Sequence, residues 1–257
     1  MSPPERPVTS ATGLRLSERI RACLFDLDGV LTRTARVHAQ AWKRMFDDYL
    51  RARAQWVGAE FQPFTLPADY EAYVDGKPRY DGVRDFLASR DISLPEGDPV
   101  DESTAETVCG LGNRKNDLFR SLLREQGVET YPGSIEFVRR VRAHGLRTAV
   151  VSASANCRAV LRAAGIEELF EVRVDGTTLA REGLRGKPAP DSFLAAAREL
   201  DVEPAAAAVF EDAPAGVAAG RAGAFGLVVG VDRGDEAEAL RTNGADIVVG
   251  DLAELST

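Results

Sequence analysis

The chain has 257 residues, which is enough for one large domain or for a core domain carrying a smaller insert. A composition of 44% hydrophobic and 28% charged residues excludes a disordered chain. With 32 basic against 40 acidic residues, the net charge of −8 argues against a nucleic-acid partner, which needs a basic face. An anionic small molecule is still compatible, because a few Lys, Arg and turn N–H groups make a local positive site.

Residues 1–17 hold Pro, Ser, Thr and Arg but lack the apolar stretch of a signal peptide, and read as a flexible N-terminal extension. Ile20–Phe25 is a short apolar run ending at Asp26, as expected of a central parallel strand buried on both faces. Gly29 gives a turn, and a helix is predicted from about Arg36 to Ala54 with Val37, Ala41, Met45 and Phe46 inward. From Trp56 to about Gln126 no strand-like run appears, only helix-like pieces broken by Pro63, Pro67, Gly76, Pro78, Pro95 and Pro99. After Tyr131-Pro132-Gly133 the pattern alternates regularly. A helix marked by Ile135, Val138 and Val141 precedes a strand over Leu146–Val151, and Asn156 stands where it would cap the next helix, closed by Gly165. A weaker strand at Phe170–Val174, a helix opened by Pro190, a strand at Ala205–Phe210, a helix at Val217–Ala222 and strands at Phe225–Val231 and Ile247–Val249 complete the series. The predicted fold class is α/β, a Rossmann-like parallel sheet with helices on both faces plus an inserted small helical cap domain. The core is expected over 18–38 and 127–257 and the cap over 39–126. Cys23, Cys109 and Cys157 fit no zinc spacing and agree with a reducing, cytoplasmic setting. No apolar run approaches membrane-spanning length, so no membrane partner is expected.

Three apolar strands end abruptly in polar residues: Asp26 with Asp28, Ser152 with Ser154, and Glu211 with Asp212. In open parallel sheets ligands bind just beyond the carboxyl ends of the strands. Lys187, ahead of the Pro190 helix, could reach the same rim. Asp26, Asp28 and Asp212 offer hard oxygen ligands that suit Mg²⁺. Ser152 and the N–H groups after it suit phosphate oxygens, and Lys187 suits the charge of a transferring phosphoryl group. A carboxylate near both metal and phosphate can attack phosphorus, and a second acid can exchange the proton of the hydroxyl. Each residue alone is as readily a helix cap, a turn former or a solvated charge. Four sets in order at the same end of the sheet carry more weight.

These residues lie in four motifs: Asp26-Leu-Asp-Gly-Val-Leu-Thr, Ser152 in Val-Val-Ser-Ala-Ser, Lys187 in Gly-Lys-Pro-Ala-Pro-Asp, and Glu211-Asp212-Ala-Pro-Ala-Gly-Val. In this order they resemble the motifs of the haloacid dehalogenase-like phosphotransferases, over nearly the whole chain after Ser17. Added features are similar to the β-phosphoglucomutase group: Thr34 and His38 with Trp42 at a spacing of four, Gly-Asn-Arg-Lys-Asn containing Lys115, and Ser152 to Asn156. The resemblance implies that Asp26 becomes phosphorylated and Asp28 is the general acid/base, with Thr34 and His38 helping to position it. It implies Mg²⁺ held by the Asp26 side chain, the Asp28 carbonyl and Asp212, with Glu211 close by. Ser152, the Ala153 N–H and Lys187 would hold the transferring phosphoryl. Arg79, in the cap segment with Gly76 and Lys77, would clamp the other phosphate; Asp75 stands where the family pattern carries Lys. The implied reaction interconverts β-D-glucose 1-phosphate and glucose 6-phosphate through glucose 1,6-bisphosphate, in a monomer whose partner is a small hexose phosphate. A sugar-phosphate phosphatase of the same superfamily and a non-catalytic sugar-phosphate-binding protein are the alternatives. A dehalogenase is disfavoured, since it needs neither Asp28 nor a metal.

Overall fold

The structure is a computed structural model and describes residues 13–256. In chain order the elements are β1 (Ala22–Phe25), α1 (Ala35–Val57), a π-helical turn (Tyr70–Val74), α2 (Arg79–Ser89), α3 (Val108–Gln126), α4 (Pro132–Ala143), β2 (Arg147–Val151), α5 (Cys157–Ala163) and β3 (Val172–Val174). There follow α6 (Gly176–Glu182), α7 (Asp191–Glu199), β4 (Ala207–Glu211), α8 (Pro214–Ala222), β5 (Leu227–Val231), α9 (Ala237–Thr242) and β6 (Ile247–Val249). The chain divides into two compact units, one running up to Arg33 and resuming at Glu129, the other spanning Thr34–Val128.

The first unit is a six-stranded parallel sheet in the order β3-β2-β1-β4-β5-β6. Every residue of β1 and β4 is buried, which explains why those runs read as continuously apolar rather than alternating. Ala22 and Leu24 of β1 pack with Phe193 of α7 and Val217 of α8. On the opposite face Phe25 stacks on Phe210 at 4.6 Å between ring centroids, and Phe137 of α4 closes on both rings edge-on. Helices therefore cover both faces. The strand order reverses between β1 and β4, where such sheets open a crevice at their carboxyl ends.

The second unit is helical. Its core gathers Trp42, Met45, Phe46 and Tyr49 of α1, Phe64 of the following loop, Val74 of the π-helical turn, Val83 and Phe86 of α2, and Val108 and Leu111 of α3. Phe46 is its centre, with ring centroids 5.1 Å from Phe64 and 4.1 Å from Phe86.

Two boundaries differ from the sequence reading. Residues 34–38, expected with the sheet, fall in the helical unit, because the turn after β1 is tied back at once: Tyr131 N–H donates to the Leu31 carbonyl and Arg33 N–H to the Glu129 carbonyl. The expected loose extension over 1–17 lies mostly outside the described residues, but 13–17 correct it. Leu14 and Leu16 are buried, and Arg15 N–H donates to the Leu255 carbonyl at 2.9 Å, because their apolar side chains find a place in the core. Among the described residues no helix is long and apolar enough to cross a membrane. The three cysteines are buried free thiols.

Candidate active site

Asp26 is the first residue past β1, and its N–H still pairs with the Phe210 carbonyl of β4 at 2.9 Å. The strand pairing therefore fixes the backbone of this acid. Its carboxylate accepts from Lys187 Nζ at 2.5 Å, and the same ammonium donates to Glu211 at the end of β4. All three side chains are buried. Lys187 reaches them from the loop before α7, its ammonium 5.1 Å from the Phe193 ring centroid. Glu211 is held in turn by Ala213 N–H at 3.0 Å. Gly216, on the first turn of α8, makes room for it: a Cβ there would stand 1.9 Å from the Glu211 carboxyl. Glu211, grouped with the metal ligands in the sequence reading, thus has one oxygen on Lys187 and the other on a backbone N–H, because it lies at the buried end of the crevice.

The turn after Asp26 is equally constrained. Gly29 N–H donates to the Thr32 carbonyl at 2.8 Å, and Leu31 and Thr32 N–H both return to Leu27. Gly29 adopts φ +88°, and a Cβ there would stand 1.6 Å from Asp212 Oδ2. Only glycine allows both the left-handed conformation and that approach. The first and fourth motifs are in this way pressed together: Asp212 lies against Gly29, and Asp28 is near enough to Asp26 to act on its charge.

At the end of β2, Ser152 accepts from Ser154 N–H at 3.1 Å, and Ser154 accepts from Asn156 N–H at 3.2 Å. These local bonds curl the loop through Ala153 toward α5. Asn156 occupies the cap position but its side chain makes no capping bond, since the Ser154 hydroxyl already serves the loop. Gly176, which opens α6, supports the loop from β3: a Cβ there would meet the Ala153 carbonyl at 2.6 Å.

Burial, together with Glu211 and Asp28, pushes the Asp26 carboxyl well above the usual range, against the pull of Lys187. Burial opposes the charge on Lys187, yet the two carboxylates override it and keep the ammonium protonated. One lysine thus faces an excess of carboxylate oxygen. That donor set fits a hard divalent cation such as Mg²⁺, which needs one or two carboxylates, keeps waters and shares a phosphate oxygen. Among the described residues no group of three or more His, Cys, Asp or Glu side chains is gathered that could hold a metal ion by itself.

The remaining predicted residues lie in the helical unit. Thr34 precedes α1, and its carbonyl accepts from His38 N–H at 2.9 Å. His38 Nδ1 lies 2.6 Å from Lys115 Nζ, and its ring packs on Phe119 at 3.8 Å. Lys115 is buried, its ammonium 4.8 Å from the Trp42 ring centroid and 5.1 Å from that of Phe119. Desolvation and the Lys115 charge hold the His38 pKa well below its ordinary value. The imidazole is therefore neutral, accepts at Nδ1 and carries its proton on Nε2. Of the predicted Thr34–His38–Trp42 face, His38 and Trp42 both meet Lys115 of α3. Gly76 adopts φ +66° in the turn before α2, and Lys77 is ion-paired with Asp85 at 2.6 Å. Arg79 opens α2, where its Nη2 donates to the Tyr80 hydroxyl at 3.2 Å; that hydroxyl also donates to Asn113 at 2.9 Å.

Sequence reading gave no role to Tyr80, Asn113 or Gly176, whose contacts are made across the fold. Gly216 stood inside a motif, and its role is visible only from the approach of Glu211.

The profile of the haloacid dehalogenase-like hydrolases matches residues 20–223. The chain is 57% identical over 255 residues to a β-phosphoglucomutase of Mycobacterium tuberculosis, covering 98% of this chain and 97% of the relative. It is 33% identical to a β-phosphoglucomutase of Bacillus subtilis, covering 92% of each. The crystal structure of a β-phosphoglucomutase from Clostridium difficile superposes with a TM-score of 0.73 at 27% identity, covering 92% of this chain and 93% of that one. The chain is an enzyme of the haloacid dehalogenase-like hydrolase family.

Proposed function

We propose that this enzyme is an isomerase, a phosphosugar mutase that interconverts β-D-glucose 1-phosphate and glucose 6-phosphate. The observation that carries this reading is the buried Asp26 carboxylate, held by Lys187 at the crevice between β1 and β4. The names of the 57% identical relatives support the substrate class.

In the proposed reaction an Asp26 oxygen attacks phosphorus, and the bond from phosphorus to the sugar oxygen breaks. Asp28 delivers the proton to the departing sugar oxygen, and in the second half-reaction takes it from the incoming hydroxyl. Ser152, the Ala153 N–H and Lys187 hold the phosphoryl oxygens, while Glu211 keeps Lys187 in place. Asp26, Asp212 and the Asp28 carbonyl would hold Mg²⁺, whose charge would offset that of the phosphoryl oxygens. Glucose 1,6-bisphosphate is the intermediate and activator, and Arg79 takes the phosphate that is not transferred. A cytoplasmic monomer acting on a small hexose phosphate fits this reading.

The test supplies β-glucose 1-phosphate, Mg²⁺ and a trace of the 1,6-bisphosphate, and follows glucose 6-phosphate and free phosphate together. Glucose 6-phosphate without free phosphate is expected. Free phosphate released in step with sugar-phosphate loss would make the enzyme a phosphatase.

A further inference from the structure

The loop after β5 carries an arginine to which the reaction above gives no part. Arg233 Nε donates to the Gly29 carbonyl at 2.8 Å, and Nη1 to the Gly250 carbonyl at 2.7 Å and to Asp251 at 3.3 Å. Nη2 donates to the Ser134 hydroxyl at 3.2 Å and to the Val30 carbonyl at 3.4 Å. The guanidinium lies 3.6 Å from the Tyr131 ring centroid. A rigid fork of five donors is thus engaged in full, and two of its acceptors belong to the turn that follows Asp28.

The consequence lies in the two peptide groups around Gly29. The one shared with Asp28 is fixed by Gly29 N–H on the Thr32 carbonyl. The one shared with Val30 is fixed by Arg233 on the Gly29 carbonyl. Glycine at φ +88° has broad freedom of its own, so these bonds decide where the Asp28 carbonyl points. They also decide how closely Gly29 approaches the Asp212 carboxylate.

We propose that Arg233 is a positioning residue of the Mg²⁺ site, locking the Gly29 turn so that the Asp28 carbonyl and the Asp212 carboxylate keep one shared geometry. This rests on the mutase reading for the identity of the cation. A purely structural arginine would do no more than staple the Gly250–Asp251 segment to the sheet. Asp251 separates the two roles, because it meets the same guanidinium without touching the Gly29 turn.

The experiment titrates the full chain with Mg²⁺ alone by calorimetry, comparing the parent with Arg233→Met, Arg233→Lys and Asp251→Asn and recording each melting temperature. Arg233→Met is expected to bind Mg²⁺ about ten- to a hundredfold more weakly, the usual cost of removing a partner that orients metal ligands. Asp251→Asn is expected to lose melting temperature while binding Mg²⁺ within about twofold of the parent, as its pair lies outside the ligand-bearing turn. Unchanged affinity in Arg233→Met, or an equal loss in Asp251→Asn, overturns the proposal. Should Arg233→Met fail to fold, Arg233→Lys takes its place, since one ammonium cannot span the Gly29 and Gly250 carbonyls. An Arg233-dependent Mg²⁺ affinity in a parent that makes no glucose 6-phosphate would remove the mutase reading and leave the positioning role standing. Mutase activity with an Arg233-independent affinity would do the reverse, and a parent that binds no Mg²⁺ would overturn both.

Discussion

Each unit of this enzyme buries a lysine, and the two are stabilised in opposite ways. Lys187 in the sheet unit stands between two carboxylates, Asp26 and Glu211. Lys115 in the helical unit stands against a neutral imidazole and the faces of Trp42 and Phe119. The first arrangement keeps an ammonium protonated between two carboxylates, as the proposed phosphoryl transfer requires. The second spreads the charge over π-faces and a ring nitrogen, and in doing so fixes the tautomer of His38. In both units the partners of the buried lysine decide what its charge can do.

The largest effect should follow from removing the acid that Lys187 holds. Asp26→Asn keeps the shape of the site but withdraws the nucleophile, and is expected to lower turnover by about 10⁴-fold or more. Glucose 6-phosphate and free phosphate should both vanish in the coupled assay. Full activity in this variant would remove the covalent mechanism.

Next comes the lysine itself. Lys187→Met leaves Asp26 and Glu211 buried without a cation, and should cost about 3–5 kcal/mol of stability at pH 7 in denaturant unfolding. Burial already raises the folded-state pKa of Asp26. The folded state therefore takes up its proton before the unfolded chain does, and the deficit should shrink as pH falls. A deficit that grew on acidification would contradict the assigned electrostatics.

Arg79 and Tyr80 give a smaller contrast within the helical unit. Arg79→Ala should raise KM for the bisphosphate about a hundredfold while leaving hydrolysis of a small acyl phosphate nearly unchanged. Tyr80→Phe removes one hydrogen bond from that arginine and should cost about 1 kcal/mol, a few-fold in the same KM. Equal loss of both activities in Arg79→Ala would show that this arginine does not hold the second phosphate.

The mildest test concerns His38 and Lys115. The folded pKa of His38 is lowered, so the unfolded chain binds its proton first, and stability is lost as pH falls below about 6.5. The loss should be at most about 1.4 kcal/mol per pH unit, and His38→Asn should flatten it in thermal melts from pH 7.5 to 5. Lys115→Met keeps contact with the Trp42 and Phe119 rings, and should change stability by no more than about 1 kcal/mol. It should raise the titration midpoint of His38, because the Lys115 charge no longer opposes protonation. The chain has only two histidines, so imidazole NMR resolves this directly.

Sequence alone determined the α/β class and the acids and hydroxyls that stand at the strand ends. It could do so because fully buried parallel strands are continuous apolar runs, and a polar residue that ends such a run is conspicuous. The helical region between the sheet segments was legible for the same reason, as a stretch without strand-like runs broken by prolines. Tertiary structure alone decided who meets whom. That Lys187 lies between Asp26 and Glu211 depends on the order of β1 and β4, which brings together residues 161 and 24 positions apart in the chain. That residues 34–38 belong with the helices depends on the tie between Leu31 and Tyr131. Gly29, Gly176 and Gly216 matter through the atoms that approach them, and Arg233 through carbonyls reached across the fold. Local pattern encodes what each segment prefers by itself, whereas these contacts arise only when the sheet order sets distant segments side by side.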